Sequence, residues 1–536
     1  MKKISSILLA AGLCLAFASS CEDGPDTPKG DAVLTAFGFY QADNTVAISE
    51  TESVPVIDAD FIAEEISQNM IVRLPKNDLT LVARMKAGEH DIITVDGQPV
   101  VNDTISVDCS YPIDIIVTDT MDNISASYVV KIGKFLQMKW EKMENFVEND
   151  AVIYGTYHAV VNPKDDKLYM AYLRTPTGKK RTIGVVKLEN GKFVQVGDAY
   201  CGMTGTTGNA TFAKLAFDKE GTPYVCFIDA EHSSGITVRK LQGSSWVDVG
   251  TPGFGATPDK PSTSYCFAFG IDPSTDKPVV VWVGNTRDSA TGYRRTVYSK
   301  FDGSGWSASV GFGPEIDGST NVPMKGSDMQ IVDGKLMFAA ALNSTEAGKG
   351  GYVVYAFENG APVQQGNAIL QGTSYASVIS FIPAEKGYYF MGADKETGAE
   401  YNTRLWLNDG SGYKQIATAI PTMYGALTGA NNAVGVAKDG TVYVAYTTVS
   451  EAYPHIRSYN AGAGVWNDYV VMDTDRKMES TAMQIVFDSK GTGYFIYGLQ
   501  KVKAVAATDT TPEIPEVPAC LAIWSCSGLE DDVIPE

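Results

Sequence analysis

Short apolar runs, bounded by Gly, Asp and Lys turn residues, recur along most of the chain and predict β-strands rather than helices. Seven of these runs carry a large apolar or aromatic residue at the same place, namely Tyr169, Tyr224, Val279, Met337, Tyr389, Tyr443 and Tyr494. Their spacings are 55, 55, 58, 52, 54 and 51 residues. A steady period of this length fits four strands plus loops in each repeat, which is the spacing of β-propeller blades.

A second repeated feature follows these runs. A glycine-containing turn leads into a residue that opens a further, outer strand: Phe193, Trp246, Trp306, Val363, Tyr413 and Trp466. The last repeat lacks such a residue after Trp524, whereas Trp140 precedes the first repeat with no repeat of its own. We therefore predict that Trp140 opens the outer strand of the last blade, because pairing of the first and last segments removes two exposed sheet edges. The sequence thus predicts a closed, seven-bladed β-propeller over residues 136–530, with the repeated aromatic residues packed between blades.

Residues 31–135 contain shorter strand-like runs separated by turn residues, which favour a small β-sandwich and make the whole chain all-β. Leu74-Pro75, the turn Val95-Asp96-Gly97 and Val107-Asp108 stand in an order that resembles the Ig-like or cadherin-like domains of many Bacteroidetes surface lipoproteins. The resemblance covers about a hundred residues and implies an Ig-like β-sandwich that acts as a spacer between a membrane and the propeller.

The first residues have the pattern of a targeting segment. Lys2 and Lys3 precede an apolar run that is too short to span a bilayer, and Ala18-Ser19-Ser20 leads into Cys21. This resembles the lipobox of bacterial lipoproteins, which implies removal of the signal peptide 1–20 and lipid attachment at Cys21. The acidic tether 21–30 resembles the export signal of Bacteroidetes lipoproteins, which implies an outer-membrane location facing the cell exterior.

The net charge and the cysteine content limit which ligands and cofactors the protein is expected to bind. With 43 Lys+Arg against 63 Asp+Glu the net charge is −20, so we expect no binding of nucleic acid. The cysteines outside the leader and Cys21 show no paired spacing, and the chain has only 4 histidines. We therefore expect neither a metal site nor a cofactor.

Sialidases are the propeller enzymes that need to be excluded. Their repeated box requires Ser, Asp, Gly and Trp at fixed places; Ser299, Gly303 and Trp306 fit, but Phe301 stands where the acid belongs and the acid is Asp302. The chain also lacks the Gly-x-Ser-x-Gly and His-Glu-x-x-His motifs. The sequence therefore predicts a protein that is not an enzyme.

In a propeller, the loops from outer strand to next inner strand, and from second to third strand, share one face around the channel. Aromatic and polar residues predicted in these loops are candidates for sugar binding, since aromatic rings stack on sugar C–H surfaces and polar groups orient hydroxyls. The candidates are Tyr200, Tyr265, Tyr375, Tyr424, Arg287, Tyr453 and His455.

The combination of lipid anchor, acidic tether, spacer and propeller resembles surface lipoproteins of Bacteroidetes nutrient-uptake systems. This resemblance implies binding of an extracellular glycan, with an outer-membrane transporter as a further partner. Three alternatives remain open: capture of cobalamin or another small nutrient, a protein-binding scaffold or adhesin, and a degenerate sialidase-like glycosidase.

Overall fold

A computed structural model describes residues 31–47, 53–57, 60–63, 65–74, 79–134, 137–148, 151–257, 260–261, 268–287, 294–312, 328–342, 350–367, 369–373, 375–395, 401–420, 432–438, 440–447, 453–460, 465–466, 470–504, 515–526 and 529–530. The chain divides into two compact units, with the main boundary between Ile132 and Gly133. Residues 1–30, with the predicted signal peptide, Cys21 and the tether, lie outside the described residues.

The first unit consists of antiparallel strands in two larger sheets and a short ribbon, with sheet orders β4-β1-β6-β9, β5-β11-β10-β7-β8 and β2-β3. The strands are β1 Leu34–Phe39, β2 Thr45–Ala47, β3 Ser53–Pro55, β4 Phe61–Ile62, β5 Asn69–Leu74, β6 Thr80–Ala87, β7 Asp91–Val95, β8 Gln98–Pro99, β9 Thr104–Asp108, β10 Ile113–Asp119 and β11 Ile124–Lys134. In β10 the buried side chains of Ile113, Ile115 and Val117 alternate with exposed ones, as expected when one face of a sheet covers a core.

The described residues of the second unit form seven larger sheets, which we number in chain order. Sheets 1 to 3 contain β14 Ala151–Val161, β15 Leu168–Thr175, β16 Thr182–Glu189, β17 Lys192–Gln195; β18 Ala210–Phe217, β19 Pro223–Asp229, β20 Gly235–Gln242, β21 Ser245–Asp248; and β22 Ala268–Asp272, β23 Lys277–Arg287, β24 Arg294–Lys300, β25 Val310–Gly311. A 3-10 helix, Ala230–His232, joins β19 to β20.

Sheets 4 to 6 follow the same plan with occasional extra strands. They contain β26 Gln330–Val332, β27 Lys335–Leu342, β28 Gly350–Glu358, β29 Ala361–Gln364, β30 Ile369–Thr373; β31 Tyr375–Pro383, β32 Tyr388–Lys395, β33 Tyr401–Asn408, β34 Tyr413–Ile420; and β35 Asn432–Val436, β36 Val442–Thr447, β37 Pro454–Asn460, β38 Val465–Trp466, β39 Val470–Val471.

Sheet 7 joins the two ends of this unit. It contains β40 Met478–Phe487, β41 Gly493–Leu499 and β42 Cys520–Cys526, and its fourth strand is β13 Glu141–Lys142. Glu141 pairs with Ser525 and Lys142 with Trp524, which confirms the predicted pairing of the first and last segments. A short ribbon of β12 Gln137–Met138 and β43 Leu529–Glu530 lies beside it in sequence.

The seven sheets contact one another in a closed cycle. The first strands of consecutive sheets contact each other in four pairs: β14 with β18, β18 with β22, β31 with β35, and β35 with β40. Sheet 4 is joined to its neighbours by contacts of β27 with β22 and of β26 with β31. The cycle closes because β40 contacts β14. Each adjacent pair of sheets shares a buried apolar cluster; between sheets 7 and 1 it includes Met170, Tyr172, Ile496 and Ile523.

All seven predicted repeat strands are the second strands of these sheets, β15, β19, β23, β27, β32, β36 and β41. Their central residues are apolar because both faces are covered by neighbouring sheets, as in β19, where every residue is buried. One detail of the prediction is wrong. Trp306 does not open the outer strand of sheet 3, because it forms an isolated bridge with Phe301 and the strand comes later, at Val310–Gly311.

Candidate functional site

The connections between second and third strands, and between fourth and next first strands, lie at the same end of each antiparallel sheet. At sheets 1 and 2, the end of β15 and two such loops, 176–181 and 196–209, carry a cluster that we call the Tyr200 platform. Its members are Arg174, Lys179, Lys180, Arg181, Tyr200 and Thr204.

The aromatic ring of Tyr200 is the centre of this platform. Tyr200 is half-buried and packs against the apolar cluster between sheets 1 and 2. The Arg174 guanidinium lies 5.6 Å from the ring centroid, and the Lys179 ammonium lies 5.0 Å from it. Cation–π attraction therefore holds both cations beside the ring. The structure thus brings together Tyr200 and Arg174, which is the last residue but one of β15.

Glu148 anchors the inner side of the platform. Its carboxylate accepts a hydrogen bond from the Tyr172 hydroxyl at 2.7 Å and lies 3.7 Å from Arg174 Nη2. Burial, together with this neighbouring carboxylate, raises the pKa of Tyr172 far above its ordinary value, so the phenol remains a hydrogen-bond donor.

Backbone hydrogen bonds tie the two loops to each other. The Lys180 N–H donates to the Gly205 carbonyl at 2.8 Å, and the Arg181 N–H donates to Asn209 Oδ1 at 2.9 Å. Gly205 has a positive φ of 65°, and a Cβ there would lie 3.1 Å from Thr182 Cγ2. The close approach of the loops therefore depends on glycine at this position.

Glu231, in the 3-10 helix, borders the Tyr200 platform on the side of Thr204. It accepts hydrogen bonds from the Thr204 hydroxyl at 2.7 Å and the Thr206 N–H at 3.2 Å. Burial raises its pKa, but these hydrogen bonds outweigh that effect and hold the pKa below its ordinary value. The helix itself is fixed by buried Asp229, which accepts from the Glu231 N–H at 2.9 Å.

A second candidate location lies among the first strands of the sheets, where a cavity of about 360 Å³ is bounded by sheets 1, 4, 5, 6 and 7. Its polar lining includes His158, Asp328, Gln330, Ser380 and Gln484. These residues come from four separate segments of the chain, so their proximity depends on the closed cycle of sheets.

Three ionisable residues meet beside this cavity, and two of them, His158 and Asp328, line it. The carboxylate of Asp328 contacts the Lys214 ammonium and lies 3.3 Å from His158 Nε2. His158 Nδ1 accepts the Leu215 N–H at 3.0 Å, so in this arrangement Nε2 carries the proton toward the carboxylate. The three residues connect sheet 1, sheet 2 and the segment before β26.

β-Bulges in β14 and β18 orient the side chains of His158 and Lys214. The pairing register shifts between Val152 and Tyr157 in β14, and between Thr211 and Lys214 in β18. Phe212, inside the second shift, has a φ of 54°, which is rare for a bulky residue. Bulges of this kind redirect the side chains that follow them, here His158 and Lys214.

Of the sequence-predicted site residues, two more have described side chains. Tyr453 is half-buried immediately before β37. The predicted loop position of His455 is wrong: it lies within β37, paired with Tyr446, and its ring is buried and stacked on that tyrosine at 5.4 Å. Pro454 starts the strand, so the chain has already entered the sheet at His455.

Arg287 and Tyr375 are likewise strand residues rather than loop residues. Arg287 ends β23 and pairs with Arg294, and Tyr375 begins β31 and pairs with Lys395. Their strands extend further than the apolar runs alone indicate, and their side chains lie outside the description. Tyr265 and Tyr424 fall outside the described residues.

The residues of the imperfect sialidase box have structural contacts. Ser299 is buried and donates from Oγ to the Ser307 carbonyl at 2.7 Å. Trp306 stacks on Phe254 at 4.0 Å and donates to the Val249 carbonyl at 2.7 Å. Asp302 accepts from the Gly305 and Ser304 N–H groups of its own turn, which lowers its pKa to about 2.

Sequence reasoning missed two groups of residues. The cations Lys179, Lys180 and Arg181 were visible as a basic run in an acidic chain. By contrast, His158, Lys214 and Asp328 gave no signal, because they lie far apart in sequence and meet only through the arrangement of sheets. Within the described part of the chain, no cluster of His, Cys, Asp or Glu has the arrangement of a metal site.

A search of the described residues for helices long and apolar enough to cross a bilayer finds none. Cys226 is buried in β19, and burial raises its pKa.

No protein-family profile matches the chain. No curated protein matches it either. Among solved structures it is similar to AofleA from Arthrobotrys oligospora, with 10% identity over 63% of this chain and 90% of that chain, at a TM-score of 0.36. It is also similar to the polysaccharide lyase Uly1, with 11% identity over 73% and 92% of the two chains and a TM-score of 0.42. A lectin from Aleuria aurantia, solved with Fucα1-6GlcNAc, shows 14% identity over 60% and 97% and a TM-score of 0.36.

Proposed function

We propose that the chain is an outer-membrane surface lipoprotein that binds extracellular glycan without catalysing a reaction. In this proposal Cys21 carries the lipid and residues 31–135 form an Ig-like spacer. The second unit is a seven-bladed β-propeller, and the captured glycan passes to an outer-membrane transporter for uptake.

The Tyr200 platform is the observation that carries the binding function. Sugar sites combine an aromatic surface with fixed hydrogen-bond donors, and the platform offers a half-buried tyrosine beside Arg174 and Lys179. The donors are held in place before any ligand arrives, because the two loops are hydrogen-bonded to each other. Such preorganisation reduces the entropy lost on binding.

The cavity between the sheets favours a second candidate function, capture of a small polar nutrient. Its volume of about 360 Å³ lies at the lower end of the range for ligand pockets. Its lining mixes polar side chains with the apolar Val434 and Val486. This combination suits a single polar ring rather than a polymer.

Electrophoresis of the full chain in detergent, through gels containing soluble polysaccharides, tests the leading proposal. We expect retardation by at least one polysaccharide. We expect Tyr200→Ala to weaken that affinity about tenfold, because the ring that contacts the sugar and positions Arg174 and Lys179 is lost. Tyr111→Ala is the matched control, since Tyr111 is 67% exposed in the first unit. If no polysaccharide in a broad panel retards the native chain, glycan binding is excluded as the function.

A further inference from the structure

The Tyr200 platform carries an unusual concentration of positive charge. Four cations, Arg174, Lys179, Lys180 and Arg181, fall within eight consecutive positions of a chain whose net charge is −20. Among the described residues, Lys179, Lys180 and Arg181 have no carboxylate within ion-pair distance. Lys179 Nζ instead donates to the Thr204 carbonyl at 2.8 Å, and the side chain of Lys180 is exposed.

Arg181 is the most constrained of these cations. Its backbone N–H and carbonyl are both engaged with the opposite loop, through Asn209 and Ala210. Its Nε is buried and has no hydrogen-bond partner in the described part of the chain. An unpaired guanidinium nitrogen is costly to bury, and no acceptor in the described part of the chain compensates Arg181 at this atom.

The carboxylates around the platform are already engaged. Glu148 is bonded to Tyr172, Glu231 to Thr204, and Asp198 accepts the Gly202 N–H at 2.7 Å. Glu148 offsets the charge of Arg174, which lies 3.7 Å away, but in the described part of the chain none of these carboxylates forms an ion pair with Lys179, Lys180 or Arg181. The acidic remainder of the protein acts weakly at the platform, because at physiological salt the Debye length is only about 8 Å.

We propose that the glycan bound at the Tyr200 platform is acidic, with carboxylate or sulfate groups contacting Lys179, Lys180 and Arg181 while a sugar ring packs beside Tyr200. This inference rests on the proposed glycan-binding function and specifies its ligand class. Sulfate and carboxylate share the chemistry that these cations recognise, namely an anionic oxygen cluster that accepts charge-assisted hydrogen bonds.

Dextran and dextran sulfate, which share one backbone, provide the test when both are used in affinity gels with the full chain. Polygalacturonate adds the carboxylate arm, and xylan and mannan add neutral glycans. We expect retardation by dextran sulfate or polygalacturonate, at least tenfold stronger than by any neutral glycan and weakened by added NaCl. The sulfate and carboxylate arms identify which anionic group is preferred.

The variant Lys179→Ala/Lys180→Ala is expected to reduce affinity for the acidic glycan about tenfold or more. Lys335→Ala is the matched control, because Lys335 is an exposed lysine that pairs with Glu358 in sheet 4. Equal binding of neutral and acidic glycans, still dependent on Tyr200, would overturn the acidic ligand class and leave the proposed function standing. Binding of polyglutamate as strongly as of the acidic glycans would show that no sugar is recognised, and an absence of all binding would remove the proposed function itself.

Discussion

At the scale of single residues, one repeated aromatic position both packs and links the sheets. The indole N–H of Trp246 donates to the Val196 carbonyl at 3.0 Å, and that of Trp306 donates to the Val249 carbonyl at 2.7 Å. Each acceptor belongs to the segment that follows the outer strand of the preceding sheet. The sequence-based interpretation of these residues as packing between sheets is therefore confirmed for this pair, and the hydrogen bond adds a directional link.

The contacts of Asp328 lead to a prediction about the stability of the protein and its dependence on pH. Burial raises its pKa, but the charge of Lys214 and the contact with His158 outweigh this and hold the pKa well below its ordinary value. A lowered folded-state pKa means that the ionised carboxylate stabilises the fold above the unfolded value of about 3.9, and that this contribution is lost as the pH falls below it. We expect Asp328→Asn to lower the free energy of unfolding at pH 7 by about 3 kcal/mol, since Lys214 loses its counterion.

Urea titrations between pH 7 and pH 3 measure this effect. The stability of the native chain should fall with acidification more steeply than that of Asp328→Asn. An identical pH dependence in both proteins would contradict the stabilising role of this carboxylate. Asp333→Asn is a suitable control, because Asp333 is exposed in the turn between β26 and β27.

Individual side chains were predicted less well than strands, and His455 shows why. A histidine two residues after a tyrosine in a polar stretch has the composition of a loop, yet its ring is buried against Tyr446 in the neighbouring strand. The grouping of His158 with Lys214 and Asp328 was equally invisible, because it depends on which sheets are neighbours. Composition reports the local preference of a residue, whereas these positions are determined by contacts distant in sequence.

At the scale of elements, the second strands were predictable because both of their faces are covered. In β15 the residues Leu168 to Leu173 are all buried, which gives a continuous apolar run instead of alternation. The register shifts in the first strands were not predictable. They depend on side chains such as Phe212 that must fit between two sheets, and the sequence around them resembles an ordinary strand.

The closing strand β13 yields a prediction about elements. Trp140, immediately before it, packs edge-on against Tyr443 at 5.9 Å and Phe495 at 6.2 Å, in sheets 6 and 7. We expect Trp140→Ala to lower the free energy of unfolding by about 2 kcal/mol, less than for a fully buried tryptophan because Trp140 is half-buried. Chemical denaturation followed by circular dichroism measures the change.

Val194→Ala provides the comparison for that variant, because Val194 lies on the outer strand of sheet 1 and is 36% exposed. It should change stability by less than about 0.5 kcal/mol. Equal effects of the two substitutions would show that the closing segment adds nothing beyond an ordinary outer strand.

At the scale of the whole molecule, the lipid at Cys21 remains a prediction from the sequence, and in the proposed function it places the Tyr200 platform at the membrane surface. We expect Cys21→Ser to release the protein from the membrane fraction while its binding to glycan in solution is unchanged. Cell fractionation with immunoblotting measures this. Cys14→Ser, within the predicted signal peptide, should leave the protein in the membrane, and retention of Cys21→Ser there would mean that another feature anchors the chain.

The pairing of Glu141 with Ser525 also determines when sheet 7 can be completed during synthesis of the protein. The two residues are 384 positions apart, so a ribosome that adds roughly 5 to 20 residues per second makes the second partner about 20 to 80 s after the first. During that interval the early segment has no strand to join, although sheets 1 to 6 can already pack as the exported chain of the proposed lipoprotein emerges. A chain that ends before Cys520 would therefore contain most of the sheets but would lack β42, the strand that pairs with β13. The first and last sheets of such a fragment would keep unpaired edges, which makes the fragments prone to associate with one another.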